Sequence, residues 1–187
     1  DKFIWKHNDV DHLEHLLKNA DKNHPKIVAF ESVYSMDGDF APIEKILEVS
    51  KKYNALTYLD EVHGVGLYGK NGGGLSEQLG LTSEIDIIEG TLAKGFGLMG
   101  GYITAKSNII DVIRSFAPGF IFTTSLPPSL AAAAVASIRY VKNNYSLREA
   151  LYDRANKLKK LMLAKNLPII KNNSHIVPLL VKDPVRC

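Results

Sequence analysis

The feature that most constrains the fold is a regular alternation of helices with short buried strands. Apolar runs short enough for buried strands lie at 26–30, 55–59 and 85–88, and apolar residues at helical spacing occupy 9–19 and 42–53. This alternation is typical of an α/β layer. We therefore predict an α/β fold with a mostly parallel sheet flanked by helices, and a further strand at 101–105.

The second half of the chain has a different pattern. We predict a short helix at 108–115, a strand end at 120–123, helices at 128–143 and 147–165, and a last strand at 175–181. Two long helices followed by a strand indicate passage into another unit. We predict that residues 1–143 form part of a large domain, and that residues 144–187 begin a smaller α+β domain.

Composition and charge exclude several classes of protein. Net charge is +3 with both signs interspersed, so no block of charge indicates a nucleic-acid partner. Cys187 is the single cysteine, which excludes a disulfide framework. No apolar run approaches the roughly 20 residues of a membrane-spanning helix. We predict no nucleic-acid or membrane partner and a cytoplasmic location in a bacterium, with the mitochondrial matrix as the alternative.

Both ends of the chain are unusual for a complete protein. The chain opens at Asp1 without Met and stops at Cys187, shortly after the apolar run at 176–181. We expect a fragment, and we expect these 187 residues alone to be inactive.

Polar residues follow the predicted strands, where ligands bind in doubly wound sheets. Asp60 ends the second strand and His63 comes three residues later, so their side chains can contact the same ligand. We predict no metal here, because no second set of Cys or His residues lies nearby. The alternative is structural, with Asp60 capping a turn and His63 packed as a polar residue.

Lys94 directly follows the third strand, within the glycine-flanked segment Gly90–Gly97. Partial burial there would favour the free amine that Schiff-base chemistry needs. Thr91 can offer its hydroxyl to a phosphate. An ordinary exposed lysine is the alternative. Together with Asp60, however, this lysine suits a pyridine-ring cofactor, because the carboxylate keeps the ring nitrogen protonated and the lysine carries the cofactor as an imine.

The glycine-rich stretch Gly64–Gly69 matches a dinucleotide fingerprint, and its extension to Lys70 is similar to a phosphate-binding loop. The residues that follow this stretch contradict both interpretations. The residue after the lysine is Asn71 rather than Ser or Thr, and the glycines that follow cannot form the helix that a dinucleotide site needs. We predict a flexible active-site loop in which glycines permit close approach of the backbone.

Two segments resemble the α-oxoamine synthases, a family of fold type I (aspartate aminotransferase-like) pyridoxal 5'-phosphate transferases. Asp60–Gly69 resembles their aspartate segment and Gly90–Gly97 their lysine segment. In the family, Gly usually precedes the lysine and Ala follows it. Here Ala93 precedes Lys94 and Gly95 follows it. Further similar segments follow the family's order, at 6–9, 35–39, 114–128 and 174–178, so the resemblance runs from Lys2 to about Val181.

The resemblance implies catalytic roles for two residues. Lys94 would bind pyridoxal 5'-phosphate covalently and abstract the substrate's α-proton. His63 would hydrogen-bond the ring oxygen and act as an acid. The resemblance also implies cofactor contacts for Asp60 at the ring nitrogen, Val62 on a ring face, Ser35 near the ring oxygen, and Thr91 at the phosphate.

The resemblance further implies contacts beyond a single subunit. Thr123 and Thr124 would reach the phosphate of the neighbouring subunit's cofactor, making the site a property of a homodimer. Lys2 would contact the acyl-CoA.

The family joins an amino acid to an acyl-CoA with loss of CO2. The segment at 114–128 favours the branch that condenses glycine with succinyl-CoA at the start of tetrapyrrole biosynthesis. The alternatives within the family are 2-amino-3-ketobutyrate CoA ligase and 8-amino-7-oxononanoate synthase. The alternative of another class is a non-catalytic protein that binds a nucleotide through the glycine-rich stretch.

Overall fold

A computed structural model describes residues 1–187. The helices are α1 (Val10–Asn19), α2 (Ile43–Lys52), α3 (Leu75–Gln78), α4 (Ser107–Phe116), α5 (Pro118–Ile121), α6 (Pro128–Asn143) and α7 (Tyr145–Ala164), with a 3-10 turn at Thr82–Glu84. The strands are β1 (Lys26–Glu31), β2 (Ala55–Asp60), β3 (Ile87–Thr91) and β4 (Gly101–Ala105).

The four strands form one sheet in the order β1-β2-β3-β4. The pairs β1–β2 and β2–β3 are parallel, and β4 is antiparallel to β3. Parallel neighbours need a crossover connection, which α2 supplies between β1 and β2. The predicted mostly parallel sheet with flanking helices is confirmed.

Local sequence explains where the first helices begin and end. Asp9 caps α1, because its side chain accepts the backbone N–H of His12. Pro42 precedes α2, and Asn54 just beyond the helix adopts a left-handed conformation (φ +51°) that lets the chain turn into β2. The helix α2 packs against β2, and α1 packs against α2 and buries Leu13 and Leu17 in the same core.

The hydrophobic core lies on one side of the β1–β2 pair. Val28 and Phe30 of β1 and Leu59 of β2 pack there with Ile43 and Ile46 of α2. Strand residues alternate between the two faces, so the opposite face carries the side chains that do not enter this core. Ile27 and Leu56 are exposed on it.

Two sequence predictions in the second half are wrong. The segment predicted as a strand end at 120–123 instead contains α5, because Pro118 is pre-organised for the first turn of a helix. No strand forms at 175–181. Only an isolated bridge joins Ile169 to Leu179, and Pro178 lacks the N–H that a ladder would need.

The last forty residues contact the first part of the chain at several points. Arg148 of α7 is buried and donates to the carbonyl of Lys70. His175 pairs with Tyr68 through Nδ1 and the phenol oxygen at 2.9 Å. The helices α6 and α7 are separated at Asn144, where a domain boundary is predicted, and a smaller domain at 144–187 stays a prediction. None of the helices has the length and apolar character needed to cross a bilayer.

Candidate active site

Three carboxylates lie side by side at the ends of β1 and β2 and in the middle of β3. Glu31 is the register partner of Asp60, and Asp60 is the register partner of Glu89. Partners in register on parallel strands share a face of the sheet. All three side chains are half-buried. We call Glu31, Asp60 and Glu89 the carboxylate row.

Lys94 and His63 meet beside this row. Lys94 lies in the turn between β3 and β4, His63 lies in the turn after β2, and the distance from Lys94 Nζ to His63 Nε2 is 3.0 Å. Burial lowers the pKa of His63, and the charge of Lys94 lowers it further, against the opposing effect of Glu31 and Asp60. A neutral imidazole accepts a hydrogen bond from the ammonium, so this pair can exchange a proton.

The turn that holds Lys94 is closed by its own backbone. Leu92 donates to the carbonyl of Gly100 at 2.9 Å, and Leu98 donates to the carbonyl of Leu92 at 2.8 Å. Lys94 itself is exposed, so the partial burial predicted from the sequence is wrong. The physical reason is that Ala93 and Lys94 lie beyond the last paired residue of β3 and do not join the buried cluster formed by Leu92 and Phe96.

The glycine-rich stretch approaches this turn closely. A Cβ added to Gly95 would lie 2.7 Å from the carbonyl oxygen of Val65. No helix begins until Leu75, as the sequence predicts for a stretch that is not a nucleotide fingerprint. Lys70 at its end lines a cavity of about 490 Å³ with Arg148, separate from the predicted site residues.

Asp60 is the carboxylate best placed for a bound cation. Its Oδ1 accepts the backbone N–H of Val62 at 2.7 Å, and no group of the chain donates to Oδ2. Burial raises the pKa of Asp60, and the charges of Glu89 and Glu31 raise it further, whereas the Val62 N–H and Lys94 lower it. A cation bound at Oδ2 would relieve this repulsion.

Two predicted contact residues lie at the same edge of the sheet. The Thr91 hydroxyl donates to the Gly100 carbonyl at 3.2 Å and accepts the Ala93 N–H at 3.1 Å. The backbone N–H of Ser35 donates to Glu31 Oε2 at 3.0 Å, and its side chain is exposed. Both residues therefore have their backbone positions fixed beside the carboxylate row.

Three other predicted residues have no contact with Lys94 or Asp60. Lys2, Thr123 and Thr124 are exposed, and the Thr123 hydroxyl donates to the Phe120 carbonyl at 2.8 Å. Their predicted roles concern an acyl-CoA and a second subunit, and these roles stay predictions.

One group of metal-ligand side chains lies away from the site. The ligand atoms of His7, Asp37 and Asp39 are within 4.8 Å of one another. His7 Nε2 already pairs with Asp39 at 2.9 Å, so an ion pair accounts for this group.

An amine, an imidazole and a carboxylate therefore converge on one edge of the sheet, with hydroxyls beside them. An amine in this setting can form an imine with an aldehyde, and the imidazole can take or return a proton. The sequence profile of the family described as Aminotransferase class I and II matches residues 3–186. The chain belongs to the class I and II aminotransferase family.

Relatives of this class I and II aminotransferase chain include enzymes of known activity. The 5-aminolevulinate synthase of Rickettsia conorii is 55% identical over 186 residues, which cover 100% of this chain and 45% of that protein. A serine palmitoyltransferase from S. paucimobilis, solved with a bound PLP–myriocin aldimine, is 33% identical with a TM-score of 0.90 and covers 97% of this chain and 48% of its own.

A third similar protein is the 8-amino-7-oxononanoate synthase of Francisella tularensis, 25% identical with a TM-score of 0.71, covering 96% of this chain and 48% of its own. The fold is therefore fold type I, as the sequence predicts. The chain spans slightly less than half the length of the curated relatives that it matches.

In this aminotransferase-family site, the sequence analysis missed a buried carboxylate, Glu61. Its side chain is fully buried and accepts hydrogen bonds from the Ser32 hydroxyl at 2.5 Å and from the N–H groups of Leu75 at 3.1 Å and Ser76 at 2.7 Å. Glu61 thereby ties the segment after β2 to the start of α3. Its position beside Asp60 was the available signal, because alternate residues of a strand point to opposite faces.

Glu31 and Glu89, the outer members of the carboxylate row, were also not predicted from the sequence. Glu31 lies one residue beyond the predicted end of its strand at Phe30, and Glu89 lies one residue beyond Ile88, although β3 continues to Thr91. Neither residue was therefore recognised as a neighbour of Asp60. The signal was present, since each is an acidic residue that directly follows an apolar run.

Proposed function

We propose that the whole protein is a 5-aminolevulinate synthase. This enzyme condenses glycine with succinyl-CoA to give 5-aminolevulinate, CoA and CO2, the first step of tetrapyrrole (heme) biosynthesis. The observation that carries the proposal is the 55% identity, across the whole of this chain, to the enzyme of Rickettsia conorii. The convergence of Asp60, His63 and Lys94 at one edge of the sheet supports it.

The residues of this site fit pyridoxal 5'-phosphate. Lys94 Nζ would hold the aldehyde carbon of the cofactor, and Asp60 Oδ2 would pair with the protonated ring nitrogen. The fit rests on the raised pKa of Asp60, since a half-buried carboxylate between two others gains most from a cationic partner. The PLP compound bound by the similar serine palmitoyltransferase supports the same cofactor.

When bound, the cofactor supplies an electron sink for negative charge at the glycine α-carbon. The chain's own residues would accept and return the protons. Lys94, once its amine is no longer bound to the cofactor, would take the α-proton, and His63 Nε2, 3.0 Å away, would share or return it. Asp60 would pair as an anion with the ring nitrogen and would keep that nitrogen protonated.

The remaining contacts position the cofactor. Val62, half-buried and bonded through its N–H to Asp60, would pack on one ring face. Thr91 would bind the phosphate, exchanging its hydrogen bond to Gly100 for a phosphate oxygen. Ser35, which Glu31 holds by its N–H, would approach the ring oxygen.

The active unit in this proposal is a homodimer. Thr123 and Thr124 would reach the phosphate bound by the other subunit, and both lie in an exposed segment. Phe116 and Phe122 on the same segment are 75% and 83% exposed, and exposed aromatic patches of this kind are typical of protein interfaces. Lys2 would contact succinyl-CoA. We place the enzyme in the cytoplasm of a bacterium, which the bacterial relative supports.

The decisive experiment assays the whole protein with glycine and each acyl-CoA. We expect turnover with succinyl-CoA, and an absorbance band of the bound cofactor that disappears in Lys94→Ala. Lys106→Ala, an exposed lysine at the start of α4, serves as the matched control and should keep both. Turnover with acetyl-CoA but not succinyl-CoA would assign a different member of the α-oxoamine synthases.

A further inference from the structure

Glu89 has no role in the proposed reaction, yet its side chain is fixed beside the site. It is half-buried on β3, in register with Asp60. The Tyr58 hydroxyl donates to Glu89 Oε2 at 2.6 Å. Tyr58 precedes Asp60 by two residues on β2 and therefore points to the same face. The tyrosine thus holds the Glu89 carboxylate on the face that carries Asp60.

Charged groups face Asp60 from each neighbouring element. Glu31 faces it from β1, Glu89 from β3, and Lys94 and His63 from the turns beyond the strands. Glu31 also accepts the Ser35 N–H, whereas the Glu89 carboxylate accepts only the Tyr58 hydroxyl. Burial and the bond to Glu89 raise the pKa of Tyr58, so this tyrosine remains a donor at physiological pH.

Three half-buried carboxylates in register repel one another, and this repulsion disfavours the row unless a cation joins it. In the protein without cofactor, Lys94 supplies one positive charge at the end of the row. A ring with a protonated nitrogen at Asp60 would supply another at its centre.

We propose that Glu89 is a positioning residue whose negative charge, held in place by Tyr58, makes a cationic ring bound at Asp60 retain its proton to higher pH. The proposal rests on the proposed function, because it requires the ring. Glu89 would act through Asp60, its register partner, without contacting the ring or the substrate.

The test replaces Glu89 by Gln in the whole protein, which removes the charge and keeps both the shape and an acceptor for Tyr58. In the protein without cofactor, ¹³C NMR of the Asp60 carboxyl should show its pKa lowered in Glu89→Gln, because a like charge has been removed. In the protein loaded with pyridoxal 5'-phosphate that carries ¹⁵N in its ring, the pH at which the ring-nitrogen resonance changes should fall by roughly half to one unit.

Two further variants separate charge from packing. Glu89→Asp keeps the charge, so the titrations of Asp60 and of the bound cofactor in this variant should lie near those of the unaltered protein. Glu84→Gln, on the exposed 3-10 turn, makes the same change in net charge away from the site and should leave both titrations unchanged. The proposal is wrong if Glu89→Gln shifts neither titration, or if Glu89→Asp shifts them as far as Glu89→Gln.

The two proposals fail in distinguishable ways. Loss of the proposed function would show as the absence, in the unaltered protein, of a cofactor band that depends on Lys94. Failure of the present inference would show as a normal band together with Asp60 and ring-nitrogen titrations that do not change in Glu89→Gln.

Discussion

At the scale of single residues, the adjacent carboxylates Asp60 and Glu61 have opposite environments. Asp60 faces the site with one oxygen free, and Glu61 points into the core with its oxygens engaged by a hydroxyl and two N–H groups. Asp60 could be predicted from the sequence because it ends an apolar run. The hydrogen bonds of Glu61 could not, because Ser32 and Ser76 join it only through the fold.

We expect Glu61→Gln to lower the free energy of unfolding by about 1–3 kcal/mol. An amide offers one acceptor where three donors converge, and its NH2 group would face a backbone N–H. Urea unfolding of the whole protein measures the change. Glu84→Gln at an exposed position is the control and should change stability by less than about 0.5 kcal/mol. Equal midpoints for the two variants would contradict the prediction.

His175 gives the fold a dependence on acid. Burial, with a smaller effect from the charges of His63 and Lys159, lowers the pKa of His175 from 6.5 to about 4. The unfolded chain therefore binds more protons between these values, so stability is full above pH 6.5 and falls as pH drops toward 4.

We expect the whole protein to lose roughly 1 kcal/mol of stability through His175 between neutral pH and pH 5, a figure reduced for partial solvent exposure. His175→Gln should flatten this part of the stability profile, measured by urea unfolding at each pH. His15→Gln, at an exposed position of α1, should leave the profile unchanged. A profile equally steep in His175→Gln would refute the assignment.

At the scale of elements, the site depends on how two turns approach each other. The glycine-rich stretch passes so close to the lysine turn that residue 95 has almost no space for a side chain. Both segments could be recognised from the sequence, as could Ala93 and Gly95 in the positions where the family usually has Gly and Ala. The contact between Gly95 and Val65 could not be recognised, because spacing along a chain does not give distances between loops.

We expect Gly95→Ala to destabilise the whole protein by about 1 kcal/mol, because the added methyl group meets a backbone carbonyl that cannot simply rotate away. The displaced turn should also lengthen the Lys94–His63 distance and alter the cofactor absorbance. Thermal unfolding and absorbance spectra measure the two effects. Gly97→Ala tests a neighbouring glycine with open space around its Cβ position, though its φ of +67° adds backbone strain. If Gly95→Ala changed neither property, the close contact would have no energetic weight.

At the scale of the whole molecule, the described chain leaves large apolar side chains uncovered. Phe116 and Phe122 are mostly exposed, and so is Ile27 on the open face of the sheet. The sequence predicted the sheet, its flanking helices and the strand ends that hold Asp60 and Lys94. It did not predict which sheet face is open, because short continuous apolar runs look alike whether one face or both are covered.

We expect residues 1–187 expressed alone to self-associate and to show no turnover, because exposed apolar surface and open sheet edges favour aggregation. Size-exclusion chromatography with light scattering measures the association, and the double change Phe116→Ser with Phe122→Ser should reduce it. A monodisperse, active preparation of these residues would contradict the expectation.

The antiparallel pairing of β3 with β4 bears on the order in which the site forms during folding. The lysine turn joins adjacent strands of a hairpin, a local closure that takes on the order of microseconds. Asp60 reaches the row only after parallel pairing across α2, and such nonlocal pairing is slower. The segment that carries the Lys94 amine can therefore form before the Asp60 carboxylate has reached its position beside it.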